Sequence, residues 1–209
     1  MLDLSISLQE HLTKCALLHS CLCPRQVIGV RMARFACSWL GVDPAIQRKQ
    51  LFVYMEIGHC AADGVISVTN ASLSNGLMQL IDYGKLAATF VHLPTNQALR
   101  VRENQSSRTL AVEMMSQLHS SWEAQQQAYQ VMADEQLLSW DEVTLFVPPP
   151  KILKKHAVTC TLCGDKVHEH CEVIMEGRAL CKPCAYGTYY NRVEEINTEL
   201  CAPPHPISA

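Results

Sequence analysis

From Ser5 to Leu18 the apolar residues Ile6, Leu8, Leu12, Cys15 and Leu18 recur every two to four positions, the spacing of one helical face. Ser5 or Ser7 would cap this helix, because a short side-chain oxygen satisfies a free N–H of the first turn. The segment CPRQVIGVRMARFACSWLG predicts a second helix, with Pro24 in the first turn and Gly41 at the stop. A loop holding two cysteines is thereby pinned between two helices.

LFVYMEI, residues 51–57, is apolar, aromatic and β-branched and ends at Gly58, which predicts a buried strand. CAADGVISVTN predicts a helix after it. MQLIDYG, KLAATFVHL and ALRVREN alternate apolar and polar positions, are broken by Gly84 and by residues 94–97, and read as an antiparallel meander. Residues 107–139, rich in Glu, Gln, Met, Leu and Ala and free of Gly and Pro, predict one broken helix or two consecutive ones. VTLFV reads as a strand, and Pro148-Pro149-Pro150 then imposes a stiff, extended connector. The expected architecture is α+β: helices on an antiparallel or mixed sheet over residues 1–147, a linker over 148–156, a small four-cysteine zinc ribbon over 157–192 and a tail over 193–209.

With 209 residues and 48% hydrophobic content, the chain can bury one sizeable core and carry a small satellite. Charged residues make up 18% and the formal net charge is -3, so no general attraction to nucleic acid or anionic lipid is expected. The N-terminus lacks a basic leader, and no run approaches the roughly 18 apolar residues of a membrane span. A cytoplasmic protein is expected. Eleven cysteines fall into two clusters with stragglers, which in a reducing compartment favours metal coordination over cross-linking. In a hyperthermophile, disulfides would compete with that reading.

Cys160-Thr-Leu-Cys163-Gly and Cys181-Lys-Pro-Cys184 are two Cys-x-x-Cys knuckles at the spacing of a four-cysteine zinc site. Two thiolates two residues apart can face one ion where the backbone turns tightly, and Gly164 permits that turn. Four thiolates leave no open position, which points to structure rather than catalysis. Two disulfides or a rubredoxin-like iron centre are the competing readings. His168, His170 and Cys171 lie between the knuckles, as packing residues or as a substitute ligand. The basic residues Lys151, Lys154, Lys155, Lys166, Arg178 and Lys182 are diluted by Asp165, Glu169, Glu172 and Glu176, and a solvated surface explains them better than nucleic-acid binding does.

His19, Cys21 and Cys23 alternate ahead of Pro24, so that three ligands could point one way and leave a fourth position open. Alternatively, Cys21 and Cys23 are small buried residues and His19 caps a helix C-terminus. LHSCLCPRQVIGVRMA, then GHCAADGVISVTNASLSNGLMQLIDYGKLAATFV, then the CTLCG and CKPC knuckles together resemble the FmdE family of formylmethanofuran dehydrogenase. That resemblance implies that His19, Cys21, Cys23 and Cys60 gather around one ion, zinc or another transition metal. It also implies that Asp63, Asp82, Tyr83 and Lys85 hold family positions, with Lys85 and Asp63 as candidate catalytic groups. As ordinary structure, Asp82-Tyr83-Gly84 makes a turn and Lys85 a solvated strand edge. His59 is expected to point away from Cys60's ion. Cys21 stands where the family commonly has His, and Arg25 where it has Gly.

The function expected is that of a metal-binding accessory protein connected with molybdenum or tungsten formylmethanofuran dehydrogenase, in metal handling or maturation. No ferredoxin-type run of cysteines is present, so this chain cannot perform that oxidation alone. The alternatives are a metal-dependent enzyme built on the N-terminal site and a ribbon regulator binding nucleic acid or a protein partner. A homodimer is expected, in which the ribbon packs on the neighbouring copy.

Overall fold

The computed structural model describes residues 2–18, 21–150 and 156–190, in two compact units, Met1–Pro150 and Lys151–Ala209. In the first unit α1 (Leu8–Leu18) and α2 (Pro24–Leu40) lead into β1 (Leu51–Met55), α3 (Cys60–Thr69), β2 (Met78–Leu80), β3 (Ala87–His92) and β4 (Gln97–Glu103). Three helices follow, α4 (Ser107–Met114), α5 (Ser121–Val131) and α6 (Asp134–Leu137), and then β5 (Leu138–Val143). The five strands form one mixed sheet in the order β2-β1-β3-β4-β5. No described helix is long and apolar enough to cross a membrane.

Local chemistry sets the helix ends. Ser7 Oγ accepts the Glu10 N–H at 3.2 Å while the Glu10 carboxylate accepts the Ser7 N–H at 2.9 Å, a reciprocal cap on α1. Gly41 ends α2 at φ 69°, where it accepts a left-handed conformation without a Cβ penalty. The Arg31 guanidinium donates to the carbonyls of Tyr129 and Met132 and to Asp134, all at 2.7 Å, and so ties the end of α5 to α2. Glu56, buried beyond the end of β1, takes Arg100 of β4 in a fork at 2.5 and 2.7 Å. Its backbone carbonyl accepts the N–H groups of Tyr83 and Lys85, which fixes the turn before β3.

The core lies between the helices and one face of the sheet. Val27, Ile28 and Val30 of α2, Val65 of α3 and Val53, Phe90 and Leu99 of the sheet are all sealed from solvent there. At its centre, α2 and α3 touch through backbone. A Cβ on Gly29 would stand 2.2 Å from the Ala61 carbonyl oxygen, and one on Gly64 would stand 2.5 Å from the Gln26 carbonyl oxygen.

Two expectations need correction. MQL is not part of an antiparallel meander: β2 pairs with β1 in parallel, Val53 opposite Met78. The reason is α3, a crossover that returns the chain in its starting direction. The last strand of the first unit is LSWDEV, paired antiparallel with β4, rather than VTLFV. Phe146 and Val147 are exposed, because the alternation that fits the sheet belongs to the residues before them.

In the second unit β6 (Ala157–Thr159) pairs with β7 (Lys166–His168), and β8 (Val173–Met175) with β9 (Arg178–Leu180), before the short helix α7 (Lys182–Tyr186). Among the described residues its core holds only Cys160, Val167 and Leu180, with a few half-buried neighbours.

The helix crossing gives one expectation. Gly64→Ala should gain about 1 kcal/mol from helix propensity, yet lose about 2 kcal/mol or more net, because backbone atoms must move apart. Urea denaturation measures this, and an unchanged midpoint would refute the crossing. A second comes from buried His11, whose Nδ1 lies 2.8 Å from Arg34 Nη1 and so accepts the guanidinium proton. Burial, then the charges of Arg34 and Lys14, lower its pKa from 6.5 to about 4. The unfolded chain therefore binds this proton first, and stability should fall as pH drops from about 6.5 to about 4, by up to about 3 kcal/mol. His11→Gln should flatten that window in denaturation midpoints measured against pH.

Candidate metal centres

The four ribbon cysteines converge. Their sulfurs all lie within 4.8 Å of one another, and Cys163 Sγ is 3.8 Å from Cys181 Sγ. A zinc tetrahedron with bonds of about 2.3 Å has sulfur–sulfur edges of about 3.8 Å, whereas a disulfide is about 2.05 Å long. The backbone shapes the first knuckle. Cys160 closes β6, its N–H donates to the Asp165 carbonyl at 2.8 Å, and Gly164, at φ 80°, returns its own N–H to the Cys160 carbonyl at 3.0 Å. The second knuckle is a helix start, with Cys181 as the cap of α7, Pro183 in its first turn and Cys184 next.

The electrostatics suit a cation. Backbone N–H groups of Cys163 and Cys181 donate to the Cys160 sulfur and bring its pKa down to about 6. Cys184 is pushed up to about 12, first by its hydrogen bond to Cys181, then by burial and by Cys163 and Cys160. One thiolate is thus favoured, and Cys163 and Cys184 resist ionising beside it. A divalent ion removes that resistance, so its binding releases protons.

Of the residues between the knuckles, none joins this group. His168 and Cys171 are exposed, and His170 lies instead with His156 and Glu172. Sequence reasoning missed both His156 and Glu172, although Glu172 stands two residues after His170, a spacing that could have marked the pair.

In the first unit, helix starts position the predicted ligands. Cys23 caps α2, and its N–H donates to Gln26 Oε1 at 2.9 Å. Cys60 opens α3 immediately after His59, whose backbone sits at φ 69°, an uncommon conformation for a side-chain-bearing residue. The thiols of Cys23 and Cys60 are hydrogen-bonded to each other, and the Cys23 pKa is raised, chiefly by burial. Cys15, on the buried face of α1, is a third thiol of this neighbourhood. Burial, then Asp63, Cys23 and Cys60, push it up to about 12. Its spacing marks it as core, and the structure keeps it there.

Cys21 is exposed, and among the described residues Cys21, Cys23 and Cys60 do not all fall within 4.8 Å of one another. His19 lies outside the described residues. Cys60 and Asp63 line a pocket of 320 Å³ with His59, Met55, Met78 and Leu80. Lys85 lines a different cavity, of 610 Å³, beside Arg100, Arg102, Glu103 and Arg108, with its ammonium 5.9 Å from the Tyr83 ring centre. The two candidate catalytic groups therefore do not share a pocket. Asp82 Oδ1 accepts the Gly84 N–H at 3.3 Å, the turn role expected of it.

Comparison with known proteins adds the lineage. A probable S-adenosyl-L-methionine-binding protein of Archaeoglobus fulgidus is 33% identical over 89 residues, which are 41% of this chain and 24% of that protein. This chain thus matches about a quarter of that relative's length. A crystal structure of a tungsten formylmethanofuran dehydrogenase FmdE-like protein from Syntrophus aciditrophicus covers 91% of this chain and 100% of its own, at 19% identity and a TM-score of 0.60. That likeness establishes the fold. Residues 18–147 match the family described as FmdE, molybdenum formylmethanofuran dehydrogenase operon, and the chain belongs to that family.

Proposed function

We propose that this protein is a metal-binding accessory protein whose C-terminal ribbon is held together by zinc and which serves the handling of metal for, or the maturation of, a molybdenum or tungsten enzyme. The convergence of Cys160, Cys163, Cys181 and Cys184 carries the reading. Four sulfurs within 4.8 Å of one another suit a soft-tolerant ion such as zinc and would leave it no open position, so its contribution is structural. With only three buried apolar residues in its described core, the ribbon depends on that ion for most of its folding free energy. The family's description, which ties it to a molybdenum enzyme operon, supports the biological setting.

A second reading, a metal-dependent enzyme, is favoured by one observation. Cys60 and Asp63 open on a pocket of small-molecule size, with Cys23 beside Cys60. There Cys23 and Cys60 would supply two thiolate ligands, with His19 and Cys21 completing the set, and a bound ion would act as a Lewis acid. Asp63 would move a proton. Lys85 has no part in that pocket.

Two outcomes are expected. Chelation of the full-length protein, or Cys160→Ser, should erase hydrogen-exchange protection across residues 157–186 while α2 keeps its own. Equal loss in both units would overturn the structural role of the ribbon ion. Cys60→Ser should lower the metal content by one ion per chain, read by elemental mass spectrometry, with the fold retained. An unchanged content would remove the metal from the first unit.

A further inference from the structure

The β6–β7 hairpin has two ends. Cys160 and Cys163 occupy the turn that joins the strands. His156 precedes the other end of β6, and the residues that follow β7 fold back toward it. Four residue steps of extended chain lead from His156 to Cys160, about 13 Å. What gathers at the open end is therefore distinct from the thiol site.

Three ligand-type side chains meet there. His156 Nε2 lies 3.0 Å from Glu172 Oε1, and His170 Nδ1 lies 4.0 Å from the same oxygen. The two imidazoles are stacked, 1° apart in plane and 3.9 Å between centres, so one ring must turn out of the stack for both ring nitrogens to face a common ion. One ligand atom from each residue falls within 4.8 Å of the others. Around an ion with nitrogen and oxygen bonds of about 2.0 to 2.1 Å, tetrahedral ligand edges are about 3.3 Å, which the two measured separations bracket.

The second observation is the other carboxylate oxygen. Glu172 Oε2 is buried and has no hydrogen-bond partner, although buried carboxylate oxygens are normally satisfied. His156 uses only Oε1. The backbone also holds the cluster in an uncommon conformation. Glu169 and His170 are consecutive side-chain-bearing residues at φ 57°, and the Glu169 N–H is clamped to the His156 carbonyl at 3.0 Å. Such conformations persist where their surroundings impose them, and they concentrate at functional sites.

We propose that His156, His170 and Glu172 form a second metal site in the ribbon unit, for a divalent first-row transition cation of the zinc class. Two imidazoles and one carboxylate are a harder donor set than four thiolates, and three protein ligands leave at least one position open to water or to a ligand of the ion. The ion would be exchangeable, in contrast to the one enclosed by sulfur. This site does not depend on a role in enzyme maturation, but it requires a folded ribbon.

Cobalt(II) titration of the metal-depleted full-length protein separates the two sites. Cobalt bound by sulfur absorbs strongly through thiolate-to-metal charge transfer, and cobalt bound by imidazole and carboxylate does not. Wild type should bind one more cobalt ion per chain than Glu172→Gln or His170→Ala, or bind that ion at least tenfold more tightly, with equal charge-transfer absorbance in all three. Equal stoichiometry and affinity in wild type and in a variant that keeps the charge-transfer band would overturn the site and leave the cluster as an ion pair. If His170→Ala loses the band, it has lost the ribbon and Glu172→Gln decides. If both lose it, the decision passes to the wild type's own count: a cobalt ion bound without a charge-transfer increment supports the site, and its absence rejects it.

Discussion

The contact on which the first unit depends is the crossing of α2 and α3 at Gly29 and Gly64. Neither glycine is there for a turn. Each stands where a neighbouring backbone passes closer than any side chain allows, Ala61 against Gly29 and Gln26 against Gly64. The crossing lies about one turn into α3 and close to the start of α2, so it draws together the two helix N-termini. Cys23 caps one and Cys60 opens the other, and their thiols meet as a consequence. Buried Gln26 serves both ends of this arrangement: its backbone carbonyl faces Gly64, and its side chain accepts the Cys23 N–H and reaches the Cys15 carbonyl at 3.4 Å.

The ribbon unit solves the opposite problem. Its strands are three residues long, and its buried apolar set is too small to offset the entropy of ordering the chain. Sulfur chemistry replaces core packing. The β6–β7 hairpin and the start of α7 serve to present four thiols, and the N–H groups aimed at Cys160 favour its ionised form before any metal arrives. The first unit has a core and needs no such ion for its fold. The ribbon's described core is three residues, Cys160, Val167 and Leu180.

Much of this is legible in the sequence because it is carried by local signals. Pro24 and Gly41 bracket α2, Ser7 with Glu10 starts α1, and the two Cys-x-x-Cys knuckles do come together at the separations of one ion. What is not legible depends on pairings between distant residues. The parallel placement of β2 is decided by how α3 crosses over, and the three residues MQL carry no mark of direction. VTLFV reads as a strand by composition, but register with β4 selects the six residues LSWDEV, which share with it only Val143. Glu172 reads as a surface charge, and only the fold brings His156, far from it in sequence, beside it.

The cysteines show why residue type alone does not assign chemistry. Cys37 and Cys15 lie in helix interiors, sealed from solvent, and burial pushes both thiols up, so they behave as small apolar side chains. Cys23, Cys60 and Cys181 stand instead at helix starts, where backbone N–H groups are not yet committed to the helix ladder. Cys160, in a knuckle, receives such N–H groups on its sulfur, and its thiolate is favoured. The distinction between inert and ligand-competent thiols thus follows backbone position. A cysteine inside a helix has its neighbouring N–H groups already committed to the helix ladder, whereas one at the start of a helix or in a tight turn has donors left for its sulfur.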